Sequence, residues 1–298
     1  MRNPASDLVL VTGASGLVGR ASIPWLKTYG YRLRLLQHSM AVDPDGEVCV
    51  GDITRLDTLS KCMEGVGSVV HLAAIRRENQ DATFMQINVN GVKNVIRSMQ
   101  DRGVRRLIFV TGINPDPTGR NKFMHSRYLA ERMIVESGLD YTILRFSFIL
   151  DINAGVVQEI RALAKKFFIF PIIGNGIAKF QPIAADDAGK IIASAVGRTD
   201  LIGKEINIGG PEILTYGEMA RKLLSLLGPK CLVIDLRSPL DFLPIKIMGF
   251  LPNPPITKDE YQMLNRDNVG DSLTIVRDMF GFEPKSIDEW ARQYADKT

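Results

Sequence analysis

The sequence contains few of the residues that build metal centres and disulfide frameworks. Its 298 residues include only three cysteines and three histidines. Cys49, Cys62 and Cys231 do not have the spacing of metal ligands, and we expect them to form no disulfide framework. The sequence therefore predicts no metal site, and the cysteine usage fits a reducing, cytoplasmic compartment.

Long apolar runs and a strong charge imbalance are also absent. The 37 Lys and Arg residues nearly balance the 33 Asp and Glu residues, which leaves a net charge of +4. No basic tract carries interleaved aromatic residues, so we do not expect nucleic-acid binding. No apolar run is long enough to span a bilayer, and the N-terminus lacks the apolar region of a signal peptide. A hydrophobic content of 45% is ordinary for a soluble globular protein.

Apolar segments of β type alternate with helical patterns over the first half of the chain. The predicted strands are 8–12, 31–36, 47–50, 68–73, 106–111 and 141–145. The predicted helices are 17–29, 56–64, 83–101 and 122–137, and later 154–166, 186–197 and 215–227. This alternation predicts an α/β fold with a Rossmann-type, doubly wound parallel sheet. We expect a dinucleotide-binding domain at 1–150 and a smaller C-terminal substrate lobe at 151–298, with parts of 178–210 returning to the sheet.

Three glycines follow the first predicted strand at the spacing of a phosphate-binding turn. Gly13 permits a tight turn, Gly16 lets the backbone approach a pyrophosphate, and Gly19 lets the following helix pack closely on the strand. The N-terminus of that helix offers free amide groups and the positive end of its dipole to phosphate. The alternative is a tight strand-to-helix turn that binds no ligand.

Three later positions extend this pattern. Asp52 follows the third strand, where a carboxylate can accept a hydrogen bond from an adenine amino group. The fourth strand ends in Leu72-Ala73-Ala74, whose small side chains let the backbone lie against a ribose and a pyrophosphate. Asn88 on the next helix can bond backbone groups on both sides, although an ordinary polar helix face is the simpler interpretation.

In this order the segments resemble the extended short-chain dehydrogenase/reductase superfamily. Later segments, Tyr141–Arg145, Phe180–Ile183 and Ile206–Gly210, are similar to that superfamily as well. Within it the chain is similar to the atypical group that contains the nucleotide-binding accessory subunit of respiratory complex I. The resemblance implies an NAD(P) site. Its expected residues are Gly13, Ser15, Gly16, Leu17, Val18, Gly19, Arg20, Gln37, His38, Asp52, Ile53, Leu72, Ala73, Ala74, Asn88, Thr111 and Arg127.

The superfamily's catalytic pair is replaced in this sequence. Members use a Tyr and a Lys four residues apart on one helix, together with a Ser or Thr after a strand. Here Phe123 stands at the Tyr position and Arg127 at the Lys position, while Thr111 lies near the Ser/Thr position. Phe cannot donate a proton, whereas Arg can still bond ribose hydroxyls. His125 and Tyr128 point away from Phe123 on the predicted helix, so neither is expected to replace it.

The end of the second strand bears on cofactor choice. NAD-selective members carry an acidic residue there to bond the ribose hydroxyls, whereas this chain has Gln37 followed by His38. Arg20 follows the last glycine of the turn. We therefore expect NADP to be preferred over NAD.

Two functions remain open on the sequence alone. One is an NAD(P)-dependent oxidoreductase or epimerase-like enzyme that acts on an apolar carbonyl or quinone-like substrate. The other is a non-catalytic cofactor-binding module with a structural, assembly or redox-sensing role. The apolar, Pro-interrupted segment 239–255 could cover a substrate cleft, seat a lipid-like ligand, or touch a membrane surface or protein partner. Plain packing is its simpler interpretation.

Overall fold

The computed structural model describes residues 7–39, 45–172, 176–235 and 256–295. Segment 239–255, for which the sequence leaves several roles open, lies outside the described residues. The chain divides into two compact units. The first comprises the residues up to Arg145 together with Ala185–Ile206, and the second comprises Phe146–Ala184 and the residues from Asn207 onward.

A seven-stranded sheet forms the centre of the first unit. Its strands are β1 (Leu8–Thr12), β2 (Arg32–Gln37), β3 (Glu47–Val50), β4 (Ser68–His71), β5 (Arg106–Gly112), β6 (Asp140–Phe146) and β11 (Lys204–Ile208). They lie in the order β11-β6-β5-β4-β1-β2-β3, and β1 pairs in parallel with both β2 and β4. The chain therefore reverses its winding direction between β1 and β4, which is where such sheets bind ligands at their carboxyl ends. The predicted doubly wound parallel sheet is confirmed.

Helices flank this sheet. They are α1 (Leu17–Thr28), α2 (Leu56–Cys62), α3 (Gly91–Asp101), α4 (Lys122–Glu136) and α6 (Ala185–Val196), with a π-helical turn at Met85–Asn90 before α3. A Cβ atom on Gly189 would lie 2.2 Å from the carbonyl oxygen of Ala21. Only glycine therefore lets the backbones of α6 and α1 approach so closely.

The central strands of the sheet are buried on both faces, as parallel strands covered by helices usually are, whereas the edge strands β3 and β11 are partly exposed. Every residue of β1 is buried, and Leu10, Leu107 and Phe109 are almost completely inaccessible to solvent. These side chains pack in one cluster with residues of α2, α3 and α4. The near-continuous apolar runs in the sequence follow from this two-sided burial.

Arg106 at the start of β5 holds the end of α6. Its guanidinium donates to the carbonyl oxygens of Ala195, Val196 and Asp140, at 2.6, 3.0 and 2.9 Å. Burial lowers the pKa of Arg106 to about 10, which still leaves the group charged at neutral pH. The cation satisfies carbonyl groups that have no partner within the helix, and its charge opposes the negative end of the helix dipole.

The second unit combines helices with short strand pairs. The pairs are β7 (Ile149–Leu150) with β10 (Ile183–Ala184), β9 (Lys179–Phe180) with β12 (Leu214–Thr215), and β8 (Ile169–Ile172) with β13 (Leu232–Asp235). The helices are α5 (Gly155–Phe167), α7 (Tyr216–Leu227), α8 (Lys258–Met263), α9 (Ile275–Phe280) and α10 (Ile287–Ala295). Phe170, Phe180 and Trp290 are buried in the core of this unit. No helix in the described ranges is long and apolar enough to cross a bilayer.

The structure corrects the prediction about the cysteines. Cys49 in β3 and Cys62 at the end of α2 form a disulfide, with their Cα atoms 5.8 Å apart. Arg34 of β2 joins the same elements, because it donates to Glu47 Oε1 at 3.1 Å and to the carbonyl oxygen of Cys62 at 3.0 Å. The separation of 13 residues gives no local sign of this pairing. The cysteines therefore no longer support a reducing compartment, which stays a prediction.

A buried histidine ties the carboxyl ends of β1 and β4 together. The hydroxyl of Thr12 lies 2.7 Å from His71 Nδ1 and accepts from the amides of Leu72 and Ala73 at 3.3 Å. Because that oxygen already accepts twice, its proton points to Nδ1, and we assign the imidazole proton to Nε2. The His71 ring is stacked on Phe109 with the centroids 5.8 Å apart. Burial, and secondarily the charge of Arg127, lower the pKa of His71 to about 3.

This depressed pKa predicts an acid-dependent loss of stability. The unfolded chain takes up a proton at His71 below its ordinary pKa of 6.5, whereas the folded chain does so only near pH 3. The contribution of His71 to stability is therefore complete above pH 6.5 and falls as the pH drops. Between pH 7 and pH 5 we expect the free energy of unfolding to decrease by about 2 kcal/mol on account of this residue.

Urea denaturation of the wild type and of His71→Asn at both pH values measures the effect. Asn keeps an acceptor for the Thr12 hydroxyl but does not titrate. The pH-dependent difference should therefore be about 2 kcal/mol smaller in the variant. An equal pH dependence in both proteins would contradict the prediction.

Candidate functional site

The turn between β1 and α1 contains two glycines that the protein itself requires. Gly13 has φ of +71°, and a Cβ atom there would lie 2.7 Å from the backbone nitrogen of Ala73. A Cβ atom on Gly19 would lie 2.4 Å from the carbonyl oxygens of both Gly13 and Ala14. These two positions therefore need glycine for the turn and for the close packing of α1, with or without a ligand.

Gly16 is different, because little in the surrounding protein requires a glycine there. Its φ of −72° suits any residue, and a Cβ atom would meet only the carbonyl oxygen of Gly13, at 3.2 Å. Gly16 is the N-cap of α1, no side chain caps this end, and the first turn carries no acidic residue. An anion placed over Gly16 would supply the negative charge and the hydrogen-bond acceptors that this helix end lacks.

The chain after β4 follows the glycine turn closely. Leu72 and Ala73 are half-buried and Ala74 is exposed. Asn88 lies beneath this segment, with its amide accepting from the nitrogen of Ile75 at 2.9 Å and donating to the oxygen of Ile75 at 3.0 Å. The same amide nitrogen also donates to Ser126 Oγ at 3.1 Å. Asn88 therefore bonds the backbone of one residue, Ile75, and the side chain of Ser126, rather than backbone groups on both sides.

The carboxyl ends of β2 and β3 bring His38 and Asp52 together. One oxygen of Asp52 accepts from the nitrogen and hydroxyl of Thr54 at 2.7 and 2.8 Å, and the other lies 3.7 Å from His38 Nδ1. The neighbouring Ile53 is buried and packs against Gly91 of α3. The Asp52 carboxyl group thus lies beside His38, one of the two residues from which an NADP preference is predicted. The other, Arg20, folds back onto the carbonyl oxygen of Ser15 in the glycine turn.

Arg127 is held at the carboxyl end of β5. Its Nε donates to Thr111 Oγ1 at 2.9 Å and its Nη2 to the carbonyl oxygen of Val110 at 2.7 Å, while the guanidinium lies 4.7 Å from the centre of the Phe109 ring. The side chain is buried, and burial lowers its pKa to about 10. One nitrogen, Nη1, has no partner among the described residues. The structure thus joins the two residues that the sequence places at the Ser/Thr and Lys positions, and it leaves the buried Nη1 of Arg127 without a protein partner in the described part of the chain.

The other side chains near the start of α4 are committed to packing. Phe123 packs on Phe84, with the ring centroids 5.6 Å apart. His125 donates from Nδ1 to the carbonyl oxygen of Asp116 at 2.8 Å and stacks on Tyr128. That neither His125 nor Tyr128 replaces the missing proton donor stays a prediction.

An ion pair next to Arg127 was not singled out from the sequence. Glu131, one helical turn after Arg127, is almost completely buried and binds Arg145 of β6 at 2.7 Å. Arg145 also pairs with Glu205 of β11. Burial raises the pKa of Glu131, and the two arginines oppose that shift. The carboxylate compensates a cation that has left water, and the spacing of 127 and 131 on one helix is the only sequence sign of it.

The chain is similar to several known proteins. The NAD(P)H-binding family matches residues 13–167, more than half of the chain. The mitochondrial NADH dehydrogenase (ubiquinone) 1 alpha subcomplex subunit 9 of Arabidopsis thaliana is 23% identical over 90% of this chain and 72% of its own length. The photosystem II assembly factor Ycf39 of Synechocystis sp. is 26% identical over 47% of this chain and 44% of its own. An uncharacterised protein of Mycobacterium tuberculosis is 24% identical over 93% of this chain, but the match covers only 28% of that longer protein.

The fold is shared with solved structures over nearly the whole chain. A short-chain dehydrogenase/reductase superfamily protein from Agrobacterium tumefaciens, crystallised with bound NAD, covers 97% of this chain with a TM-score of 0.70 and 19% identity. The likeness to the dehydrogenase and epimerase type is thereby confirmed at the level of the fold. By the match that extends from the glycine turn to the end of α5, the chain belongs to the NAD(P)H-binding family.

Proposed function

We propose that this protein holds a nicotinamide dinucleotide at the β1–α1 turn and does so without the proton-transfer step of its superfamily, as a binding module with a structural, assembly or redox-sensing role. One observation carries the proposal. Phe123 occupies the position of the proton donor, and the cation four residues later is fixed to β5 by two hydrogen bonds. A bound nicotinamide would supply hydride chemistry, but these residues supply no acid.

The chain's own residues fit such a cofactor. The space over Gly16 and the uncapped start of α1 would take the pyrophosphate. The exposed part of Asp52 would accept from the adenine amino group. The unpartnered Nη1 of Arg127 would donate to a ribose hydroxyl, which is the function that Arg retains from the usual Lys. Asn88 supports the site by fixing Ile75 rather than by touching the ligand.

The Thr111 hydroxyl favours a second candidate function. In it the protein is an oxidoreductase that acts on an apolar carbonyl or quinone-like substrate. The hydroxyl of Thr111 accepts from Arg127 and can still donate one hydrogen bond. A carbonyl oxygen bound there would be polarised by the adjacent cation. The protonation of the product would then depend on water or on the substrate itself.

Protein partners also follow from the module hypothesis. The relatives include a subunit of a large complex and an assembly factor. We therefore propose that this chain also works in contact with another protein. A cytoplasmic location stays a prediction.

The first prediction tests whether a pyrophosphate binds over Gly16. A valine side chain there should occupy the place of the pyrophosphate and weaken NAD(H) and NADP(H) binding by about 100-fold or more. The melting temperature should hardly change, since the added Cβ atom meets only one backbone oxygen. Calorimetric titration measures the affinity. Thr28→Val, at the exposed far end of α1, is the matched control and should bind as the wild type does. Unchanged affinity in Gly16→Val would exclude a pyrophosphate at this turn.

The second prediction concerns cofactor choice. NADP(H) should bind about tenfold more tightly than NAD(H) at low salt, because Arg20 and His38 would face the 2′-phosphate. Asp52→Asn keeps an acceptor for adenine but removes the negative charge beside His38, so the preference should increase. Arg20→Gln should reduce it. Paired titrations at two salt concentrations measure the ratio, and a wild-type preference for NAD(H) would show the assignment to be wrong.

The third prediction tests the missing acid. The wild type should reduce simple carbonyl compounds very slowly and without a pH profile assignable to a tyrosine. Phe123→Tyr combined with Arg127→Lys should raise the rate of carbonyl reduction by about 10²- to 10⁴-fold if the substrate carbonyl lies within hydrogen-bond distance of the new phenol. Phe123→Leu with Arg127→Lys is the control that lacks the phenol. Fast reduction by the wild type, lost in His125 or Tyr128 variants, would contradict the module hypothesis and support the oxidoreductase.

A further inference from the structure

Three large apolar side chains are exposed at one end of the β8–β13 pair. Phe168 is 70% exposed, Leu232 62% and Ile169 41%. Ile169 and Leu232 stand opposite each other in the parallel register, and the amide of Leu232 donates to the carbonyl oxygen of Phe168 at 2.9 Å. These three residues, called the apolar tip below, therefore share one end of the two-stranded pair.

The exposed Phe168 also has an unfavourable backbone conformation. Phe168 follows the last residue of α5 and has φ of +56°. Glycine is the usual residue at this left-handed position after a helix, and a bulky residue adopts it only at a cost. An exposed phenyl ring does not recover that cost through packing in the core. A phenyl ring at a backbone position that is both strained and exposed points to a role outside the fold.

The charged residues in the two chain segments that carry the apolar tip are all basic. Lys165 and Lys166 occupy the last turn of α5, and Lys230 lies two residues before Leu232; all three are exposed. The segments 163–172 and 228–234 contain no acidic residue. The tip is thus an apolar end with a basic rim.

We propose that the apolar tip docks on a membrane surface that carries anionic lipids. Aromatic and aliphatic side chains enter the interfacial region, while lysine stems extend along apolar surface and keep their charge at the headgroups. A protein partner fits less well, because lysine is depleted in protein–protein interfaces. The proposal does not depend on the bound dinucleotide.

Vesicle co-sedimentation of the full chain tests this. We expect binding to phosphatidylcholine vesicles that contain about 30% phosphatidylserine, release at high salt, and little binding to pure phosphatidylcholine. Replacing the rim lysines by glutamine should weaken binding about fivefold per lysine. Phe168→Gly with Leu232→Ser should abolish it and retain the fold, since glycine suits the backbone at 168. Leu273→Ser, which changes an apolar side chain exposed elsewhere in the second unit, is the matched control and should bind normally.

A second measurement locates the contact. In Phe168→Trp, brominated lipids should quench the fluorescence of the new tryptophan beyond that of Trp25 and Trp290 in the wild type. Failure to bind anionic vesicles, or binding that survives the tip substitutions, would overturn the proposal. Loss of self-association in the tip variants, without any vesicle binding by the wild type, would assign the tip to a protein interface instead.

Discussion

The carboxyl ends of β1 and β4 can lie side by side only because no side chain separates Gly13 from Ala73. A Cβ atom on Gly13 would come within 2.7 Å of the neighbouring backbone, closer than atoms can pack. The Thr12 hydroxyl then reaches His71 and two amides of the chain after β4. This contact fixes the direction in which the chain leaves both strands. The start of α1, the open space over Gly16 and the support from Asn88 all follow from it.

A second constraint comes from placing a cation at the end of β5. Arg127 is buried, yet its pKa of about 10 keeps it charged at neutral pH. Two hydrogen bonds to β5 and the ring of Phe109 hold the guanidinium, and the buried carboxylate of Glu131 compensates its charge. A group held so firmly is suited to orient a ligand and unsuited to exchange protons, since arginine does not deprotonate under ordinary conditions. The fold is shared with dehydrogenases and epimerases, whereas the replacement of their catalytic pair at Phe123 and Arg127 stays a prediction from the sequence. Membership in the family therefore establishes cofactor binding and leaves the reaction to be argued from the site.

Elements that repeat a local pattern could be predicted from the sequence. Strands buried on both faces appear as continuous apolar runs in the sequence, and helical patterns lie between them. The positions of the first six strands along the chain and their parallel arrangement could therefore be predicted. The glycine turn could be predicted as well, because a positive φ at Gly13 and the close approach at Gly19 each demand one residue type. The sequence also predicts that Phe123 stands where the superfamily has its proton donor, because the four-residue spacing to Arg127 places both side chains on one face of the helix.

The contacts between side chains on distant elements became visible in the folded chain. The tertiary structure paired Cys49 with Cys62, brought Asp52 to His38, joined Glu131 to Arg145, and used Arg106 to close the end of α6. It also showed that the described surroundings provide a reason for Gly13 and Gly19 but little for Gly16, a difference that the motif does not reveal. The physical reason is common to all these cases. Local periodicity determines on which face of a helix or strand a residue lies. The residue that it contacts there comes from a segment far away in the chain, and no local pattern specifies which segment that is.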